Sequence, residues 1–99
     1  MPQPTYAVLV RLRSELDRDE IERIMKERAP EFRALEGLVQ KYYLEGPEPG
    51  EYGGFYLWRS LDDVVEYRES ELAATIAAAY QGVGTPSVEV FKVVMPLRD

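Results

Sequence analysis

The chain has 99 residues, 18 of them acidic and 12 basic, and its formal net charge at pH 7 is −6. A chain of this length forms one hydrophobic core, so we expect a single domain over residues 1–99. The acidic balance argues against nucleic acid as a partner, because binding a phosphate backbone depends on clustered lysine and arginine side chains.

The first third of the chain predicts a strand followed by a helix. Residues 5–13 (TYAVLVRLR) are rich in β-branched and apolar side chains, which is typical of a buried strand. Asp17, with Glu20 three residues later, forms a capping-box pattern at a helix start. Pro30 should kink this helix or break it into two, because proline lacks a backbone N–H and clashes with the preceding turn. The apolar stripe of the helix comprises Ile21, Ile24, Met25, Phe32 and Leu35.

Two aromatic strands are predicted next. Residues 37–44 (GLVQKYYL) and 52–59 (YGGFYLWR) have the composition of strands, and the turn-rich segment 45–54 (EGPEPGEYGG) connects them. Within the second of these strands, Gly53 and Gly54 indicate a bulge or the close approach of another backbone group.

The last third predicts a helical region and a final strand. Ser60 and Ser70 each stand where a helix N-cap is expected, and the second helical segment covers residues 71–80. Residues 81–86 (QGVGTP) end it, and residues 87–96 (SVEVFKVVMP) are the fourth strand. The inner face of the helix that follows Ser60 is predicted to carry Leu61, Val64 and Val65.

The element order β-α-β-β-α-β predicts an α+β, ferredoxin-like fold with a four-stranded antiparallel sheet and both helices on one face. The first and fourth strands are apolar on both sides, so the second sheet face also needs cover. We therefore expect a homodimer packed through that open face. The first strand carries Val8, Val10 and Leu12 on one side and Ala7 and Leu9 on the other, and the fourth strand carries Val88, Val90 and Val94 on one side and Phe91, Val93 and Met95 on the other.

The chain contains no cysteine, histidine or asparagine. Its absence of cysteine and histidine excludes thiolate nucleophiles, Ser-His-Asp triads, Cys/His zinc sites and haem held by His or Cys. Calcium-loop, dinucleotide-binding and P-loop motifs are absent as well, so we expect no metal and no other cofactor. No apolar run approaches the roughly 20 residues that span a bilayer, and no signal-peptide pattern is present. We expect a cytoplasmic protein without membrane contact.

Three segments together resemble the YdhR-like family of monooxygenase-like proteins, in the dimeric α/β-barrel (antibiotic-biosynthesis monooxygenase-like) superfamily. They are GLVQKYYLEG (37–46), GEYGGFYLWRSLDD (50–63) and EYRESELAATI (66–76). The resemblance implies paired ferredoxin-like domains, with a pocket between each sheet and its own helices. It also implies oxygen insertion into an aromatic substrate without metal or flavin, with the substrate as the electron donor.

Lys41 and Tyr56 are the candidate catalytic residues within that pocket. A lysine is an unusual strand residue in the context VQKYY, and it could hold an anionic substrate oxygen or a developing enolate. The structural alternative is a lysine stem lying over apolar surface with its ammonium in water. A general base would have to be a carboxylate with a raised pKa, because the chain has no histidine.

Aromatic side chains are predicted to bind a flat ligand. Tyr56 and Trp58 share one side of the third strand with Gly54, whose missing side chain should leave a gap there. Tyr42 and Tyr43 should point to opposite sheet faces, and Lys41 accompanies Tyr43. The alternative is that these rings only fill the core and an interface. The predicted substrate-binding residues are Tyr42, Tyr43, Trp58, Glu71 and Tyr80.

Charged side chains offer two further interpretations. Glu69 and Glu71 flank Ser70, where a helix break should open the pocket, and either could act as a base or simply be a solvated carboxylate at a helix start. Arg11 and Glu89 should form an ion pair across the first and fourth strands.

Two functions follow. The first is a cofactor-independent monooxygenase-like enzyme acting on a small aromatic or enolisable metabolite. The alternative is a non-catalytic, small-molecule-binding or stress-associated dimer.

Overall fold

The computed structural model describes residues 3–98 as a four-stranded antiparallel sheet with its helices on one face. The strand order across the sheet is β2-β3-β1-β4. This arrangement confirms the ferredoxin-like βαββαβ prediction. The elements are β1 (Tyr6–Arg13), α1 (Arg18–Arg33), β2 (Leu38–Glu45), β3 (Glu51–Trp58), α2 (Leu61–Arg68), α3 (Glu71–Ala74), α4 (Ile76–Ala79) and β4 (Ser87–Lys92).

The predicted helix caps are confirmed. The Asp17 carboxylate accepts a hydrogen bond from the Glu20 backbone N–H at 2.9 Å. The hydroxyls of Ser60 and Ser70 accept in the same way, each at 3.2 Å from the N–H three residues later. These side chains satisfy backbone donors that have no partner within the helix, so they determine where α1, α2 and α3 begin.

Helix α1 runs through Pro30 without dividing, so the predicted alternative of a second short helix is wrong. Proline removes one backbone donor, but the next turn still closes, because the Ala34 N–H donates to the Pro30 carbonyl at 3.2 Å. Phe32, two residues beyond the proline, is only 4% exposed. Burial of its ring stabilises the last turn by more than a single lost hydrogen bond destabilises it.

The region after Ser70 is more broken than the sequence predicts. The expected helix over residues 71–80 divides at Thr75, whose backbone leaves the helical region and whose hydroxyl donates to the Glu71 carbonyl at 2.9 Å.

The inner face of α2 is also different from the prediction. Its buried side chains are Val64 and Tyr67, whereas Leu61 and Val65 are exposed.

Strand β4 is shorter than predicted and ends at Lys92 instead of residue 96. Its neighbour β1 begins at Tyr6, which pairs with Lys92. The residues of the chain after Lys92 therefore have no residue of β1 left to pair with. One more backbone bond, from Val93 to Thr5, closes the edge at 2.8 Å. Val94 and Met95 therefore lie beyond the strand and are exposed.

Two clusters of buried side chains fill the space between the sheet and the helices. The first lies under the end of α1 and under α2, and it contains Val8, Val10, Phe32, Tyr56, Trp58, Val64 and Tyr67. The second lies under the start of α1 and under α4, and it contains Leu12, Ile21, Ile24, Tyr52 and Tyr80.

The other sheet face carries no helix. Tyr42, Phe55 and Leu9 lie side by side across its strands, and Phe91 extends the row that passes through Leu57 and Ala7. Tyr42 and Phe91 are about half exposed, at 53% and 48%. The predicted ion pair between Arg11 and Glu89 forms on this face and is confirmed. An uncovered apolar row of this kind is typical of an interaction surface.

Within the described residues 3–98, no helix is both long enough and apolar enough to cross a membrane.

Candidate functional site

A bulge in β2 determines which side chains face the helices. Leu38 pairs with Trp58, but the register shifts before Gln40, so that Lys41 pairs with Tyr56. Leu38 and Lys41 therefore point to the same side although they are three residues apart. Sequence reasoning expected a bulge at the two glycines of β3 and did not find this one.

The Lys41 amine is enclosed by aromatic rings. Its Nζ lies 3.4 Å from the centroid of the Phe32 ring, 4.3 Å from that of Tyr43 and 4.6 Å from that of Tyr56. None of the ion pairs among residues 3–98 involves Lys41. The charge of the amine is therefore not balanced by a carboxylate. Its neighbours are ring faces, which attract a cation but accept no proton.

Burial and, as the smaller cause, the positive charge of Arg28 together lower the pKa of Lys41 from 10.5 to about 7. Desolvation disfavours the charged form of any group, and for lysine this means the ammonium. The side chain is therefore divided between amine and ammonium near neutral pH. A group with this property is a functional candidate when it also borders a cavity.

Arg28 is a site residue that sequence reasoning missed. It extends from α1 to the junction of α3 and α4, where Nη2 donates to the Leu72 carbonyl at 2.9 Å and Nη1 to the Thr75 hydroxyl at 3.4 Å. Its buried Nε has no hydrogen-bond partner in the described part of the chain. One signal was available: Arg28 stands four residues after Ile24 and four before Phe32, on the apolar stripe of α1.

A cavity of about 30 Å³ lies beside the Lys41 amine, between the sheet and the helices. It is the size of roughly one water molecule, well below the roughly 300 Å³ of a typical ligand pocket. Besides Lys41, its wall includes Phe32, Tyr43, Tyr52, Gly53, Gly54, Tyr56, Ile76 and Tyr80. The cavity thus brings together four of the candidate residues, Lys41, Tyr43, Tyr56 and Tyr80.

The gap predicted beside Gly54 is filled. A Cβ added to this glycine would lie 2.8 Å from Cε1 of Tyr56, so the tyrosine ring itself occupies the space. At Gly53 the same addition would meet the Val10 carbonyl oxygen at 2.5 Å. The close approach of a backbone group is therefore confirmed at Gly53, whereas at Gly54 the neighbour is a side chain, and neither glycine leaves room for a flat ligand.

A surface groove of about 380 Å³ lies on the outer side of Tyr43, between α1 and β2. Met25, Tyr43 and Tyr52 line both the groove and the small cavity. Tyr43 is 37% exposed, while Tyr52 is 9% exposed. Tyr43 is therefore the more exposed part of the wall that separates the Lys41 amine from solvent.

The tyrosine hydroxyls of the site are hydrogen-bond donors at neutral pH. Burial raises the pKa of Tyr56, and it raises that of Tyr80 to about 12. The hydroxyl oxygens of Tyr67 and Tyr56 lie 3.5 Å apart, which is a long contact for a hydrogen bond. A substrate oxygen that gained negative charge here would meet a neutral phenol, not a phenolate.

Trp58, predicted as a pocket wall, belongs to the solid core. It is 1% exposed, and its ring stacks on Tyr56 with 6.2 Å between centroids and 4° between planes. It does not line the cavity beside Lys41. Its indole Nε1 is buried and has no partner among residues 3–98.

Two other predicted site residues lie away from the cavity. Tyr42 pairs with Phe55 on the open sheet face, opposite to Tyr43 as expected. Glu71 is exposed in the first turn of α3. Over residues 3–98, no three His, Cys, Asp or Glu side chains are grouped so that they could hold a metal ion. The side chains around the cavity are mainly aromatic rings, together with the two basic groups Lys41 and Arg28.

Solved structures show which class of fold this is. NE2512 of Nitrosomonas europaea, a protein of unknown function, has a TM-score of 0.78 at 17% identity over 97% of this chain and 95% of that chain. SnoaB of Streptomyces nogalater, a cofactor-independent oxygenase, has a TM-score of 0.75 at 16% identity over 97% of this chain and 99% of that chain. A "putative antibiotic biosynthesis monooxygenase" of Caulobacter crescentus has a TM-score of 0.75 at 19% identity over 94% of this chain and 92% of that chain. The chain has the antibiotic-biosynthesis monooxygenase-like fold.

The family follows from the sequence match. The family described as "Putative mono-oxygenase ydhR" matches residues 9–98, and the chain belongs to it. The resemblance given by the two aromatic strands is thereby confirmed. No curated protein matches the chain.

Proposed function

We propose that this protein is a cofactor-independent monooxygenase acting on a small aromatic or enolisable metabolite bound between the sheet and the helices. The observation that carries the proposal is the Lys41 amine, which lies among ring faces without a carboxylate partner. Family membership supports the oxygenase class, and SnoaB, which is described as a cofactor-independent oxygenase, shares the fold. The proposal keeps the cytoplasmic location that the sequence predicts.

Lys41 acts first as the base in this proposal. With a pKa of about 7, a large fraction of it is neutral at physiological pH and can take a proton from an acidic C–H or O–H of the substrate. The ammonium so formed lies next to the new substrate anion and stabilises it. Lys41 thus replaces the buried carboxylate that the sequence led us to expect.

The substrate anion then supplies the electrons for oxygen. For an activated CH₂ group, O₂ adds to the carbanion carbon, one oxygen atom remains as the new carbonyl, and the other leaves as water with the two hydrogens. The Tyr56 hydroxyl is placed to donate to the oxygen that carries negative charge in this sequence. The surrounding rings of Phe32 and Tyr43 exclude water from the reacting atoms.

Ligand access requires Tyr43 to move. The cavity of about 30 Å³ is too small for an aromatic ring, but the groove of about 380 Å³ begins on the other side of the Tyr43 ring. Rotation of this half-exposed side chain would join the two spaces. Side-chain rearrangements at exposed positions take place in picoseconds to nanoseconds, so this step need not limit turnover.

Oxygen consumption with a panel of quinols and naphthols tests the proposal. Wild-type protein without added metal or flavin should consume O₂ with at least one substrate. Tyr56→Phe should lower kcat by roughly 10-fold to 100-fold, because it removes one donor to the developing oxyanion. Tyr42→Phe is the matched control on the opposite sheet face and should behave as wild type. Equal rates for the two variants, or no oxygen uptake with any substrate, would contradict the proposal.

A second candidate function is a non-catalytic ligand-binding or stress-associated dimer. The rings that fill the space beside Gly54 leave little room for a substrate or for any other ligand until Tyr43 moves. The same panel distinguishes the two functions. Saturable binding without oxygen uptake supports the second function, and oxygen uptake supports the first.

The proposed unit is a homodimer formed through the open sheet face. Tyr42, Leu9 and Phe91 lie there without a helix above them, and a 99-residue chain gains stability by covering such a surface. Val90, in contrast, lies on the helix side opposite Val8. It remains 39% exposed because the helices do not reach the β4 edge.

Sedimentation at micromolar concentration should therefore give about twice the chain mass of 11.4 kDa. Phe91→Glu should raise the dimer dissociation constant by about 100-fold, because it places an unpaired charge in the interface. Leu61→Glu is the control, since Leu61 is 46% exposed against 48% for Phe91 but lies on the helix side. A wild-type protein that sediments as a monomer would refute the dimer.

A further inference from the structure

The chain has three lysines, and their amines differ in what surrounds them. Lys26 lies on the exposed side of α1, with its Nζ 3.8 Å from a carboxylate oxygen of Glu22. Lys92 is exposed at the end of β4. Lys41 alone among them has its amine against ring faces in the wall of a cavity.

We propose that Lys41 is also a nucleophile, which forms an imine with a small aromatic aldehyde or ketone bound beside it. This activity uses the same cavity as the proposed oxygenase, but it needs neither oxygen nor any electron transfer. Its substrates would be carbonyl compounds that carry a ring.

The reaction balances without a further reactant. The Nζ lone pair attacks the carbonyl carbon, and the C=O π electrons move to the oxygen, which takes up a proton. The carbinolamine then loses its hydroxyl group as water, the nitrogen having given up its protons. Aldehyde and amine thus become imine and water, and the bond order lost between carbon and oxygen is gained between carbon and nitrogen.

The surroundings of the amine suit each step. A nucleophilic lysine needs a free amine, and desolvation beside a second cation provides it. Here the rings supply the desolvation and Arg28 supplies the cation. Burial raises the pKa of Tyr56, so its hydroxyl remains protonated and can donate to the carbonyl oxygen.

The ring faces also stabilise the product. A protonated imine is a cation, and it would occupy the position now held by the ammonium, 3.4 Å from the centroid of the Phe32 ring. With Tyr43 rotated outward, the aromatic part of the substrate would lie against the Tyr43 ring where the cavity opens into the groove, and offset ring contacts are favourable there. An aliphatic aldehyde would lack this second contribution.

Reductive trapping tests the inference on the wild-type protein. Benzaldehyde and cyanoborohydride are added at pH 7 under argon, and the modified peptides are identified by mass spectrometry. Lys41 should carry the benzyl group in at least about tenfold excess over Lys26 and Lys92. The neutral-amine fraction at this pH is roughly a thousandfold larger for a lysine with a pKa of about 7 than for an ordinary one, and lower nucleophilicity offsets part of that advantage.

Two comparisons complete the test. Lys41→Arg should remove the dominant adduct and leave the minor ones unchanged. Acetaldehyde, which has no ring, should show a smaller preference for Lys41 than benzaldehyde does. Modification of Lys26 and Lys92 with Lys41 left unmodified would overturn the inference. Because trapping is anaerobic, its result is independent of whether the protein consumes oxygen.

Discussion

Replacing Lys41 with methionine should lower turnover in the proposed oxygenase reaction by about 10²-fold to 10⁴-fold, the usual contribution of a positioned general base. Methionine keeps the length and the apolar stem of the side chain but has no proton acceptor of comparable strength. Lys92→Met, an exposed substitution at the end of β4, is the control and should retain wild-type turnover. Turnover of Lys41→Met within threefold of wild type would show that another group takes the proton.

The pH dependence of turnover should identify the same group. Catalysis by the neutral amine rises with pH through about 7 and then levels off. Charged and titratable groups nearby include Arg28 on α1 and four tyrosines, namely Tyr43 on β2, Tyr56 on β3, Tyr67 on α2 and Tyr80 beyond α4. Burial raises the pKa of all four tyrosines. None of these tyrosines therefore loses its proton near neutral pH.

The Lys41→Met substitution should also stabilise the fold at neutral and acidic pH. In the unfolded chain Lys41 keeps its proton up to its ordinary pKa of 10.5, whereas in the folded chain it loses the proton near 7. The unfolded state binds more protons between these values, so stability rises with pH across this window, and the destabilisation is complete below it. Lys41→Met should gain on the order of 1–3 kcal/mol below pH 7, because the aromatic faces offset part of the desolvation. Urea unfolding at pH 6 and pH 9 measures this.

Trp58→Ala should destabilise the protein by about 3–5 kcal/mol, the usual cost of removing an aromatic ring from a packed core. The ring is 1% exposed and lies 5.1 Å from that of Tyr67 and 6.2 Å from that of Tyr56, measured between centroids. Its removal leaves a cavity that the sheet backbone cannot close. The free energy of unfolding from urea titration gives the value directly.

Leu61→Ala is a suitable control for this measurement, because Leu61 is 46% exposed on α2 and should change stability by only about 0.5 kcal/mol. A loss below about 1 kcal/mol for Trp58→Ala would mean that the ring is loosely held. In that case the gap predicted between the aromatic side chains would exist after all.

The element order could be predicted from the sequence because it rests on local signals. Asp17, Ser60 and Ser70 act on their own helix starts, and alternation of side chains identifies the strands. The end of β4 depends instead on where β1 begins, a pairing between distant residues. The break at Thr75 likewise depends on tertiary contacts, since Arg28 bonds to this side chain from another helix.

The site was partly predictable for the same reason. Lys41 was predictable because lysine is unusual in an aromatic strand. Tyr56 was predictable because it lies two residues after Gly54 and therefore on the same face of the strand. Trp58 follows the same alternation, and nothing local distinguishes a ring that borders a cavity from one that is packed solid. That difference arises from Phe32 and Tyr67, which reach the strand from separate helices.

The divided helical segment after Ser70 has a consequence for the energetics of opening. Helices α3 and α4 have four residues each, far below the roughly 12 at which a helix begins to be stable by itself. Ile76 and Tyr80 hold them to the core, and Arg28 holds their junction. This part of the protein should therefore detach at a free energy well below that of global unfolding, as a separate cooperative unit. Since Ile76 and Tyr80 form one wall of the cavity, each such opening exposes the Lys41 side of the sheet while the other helices stay in place.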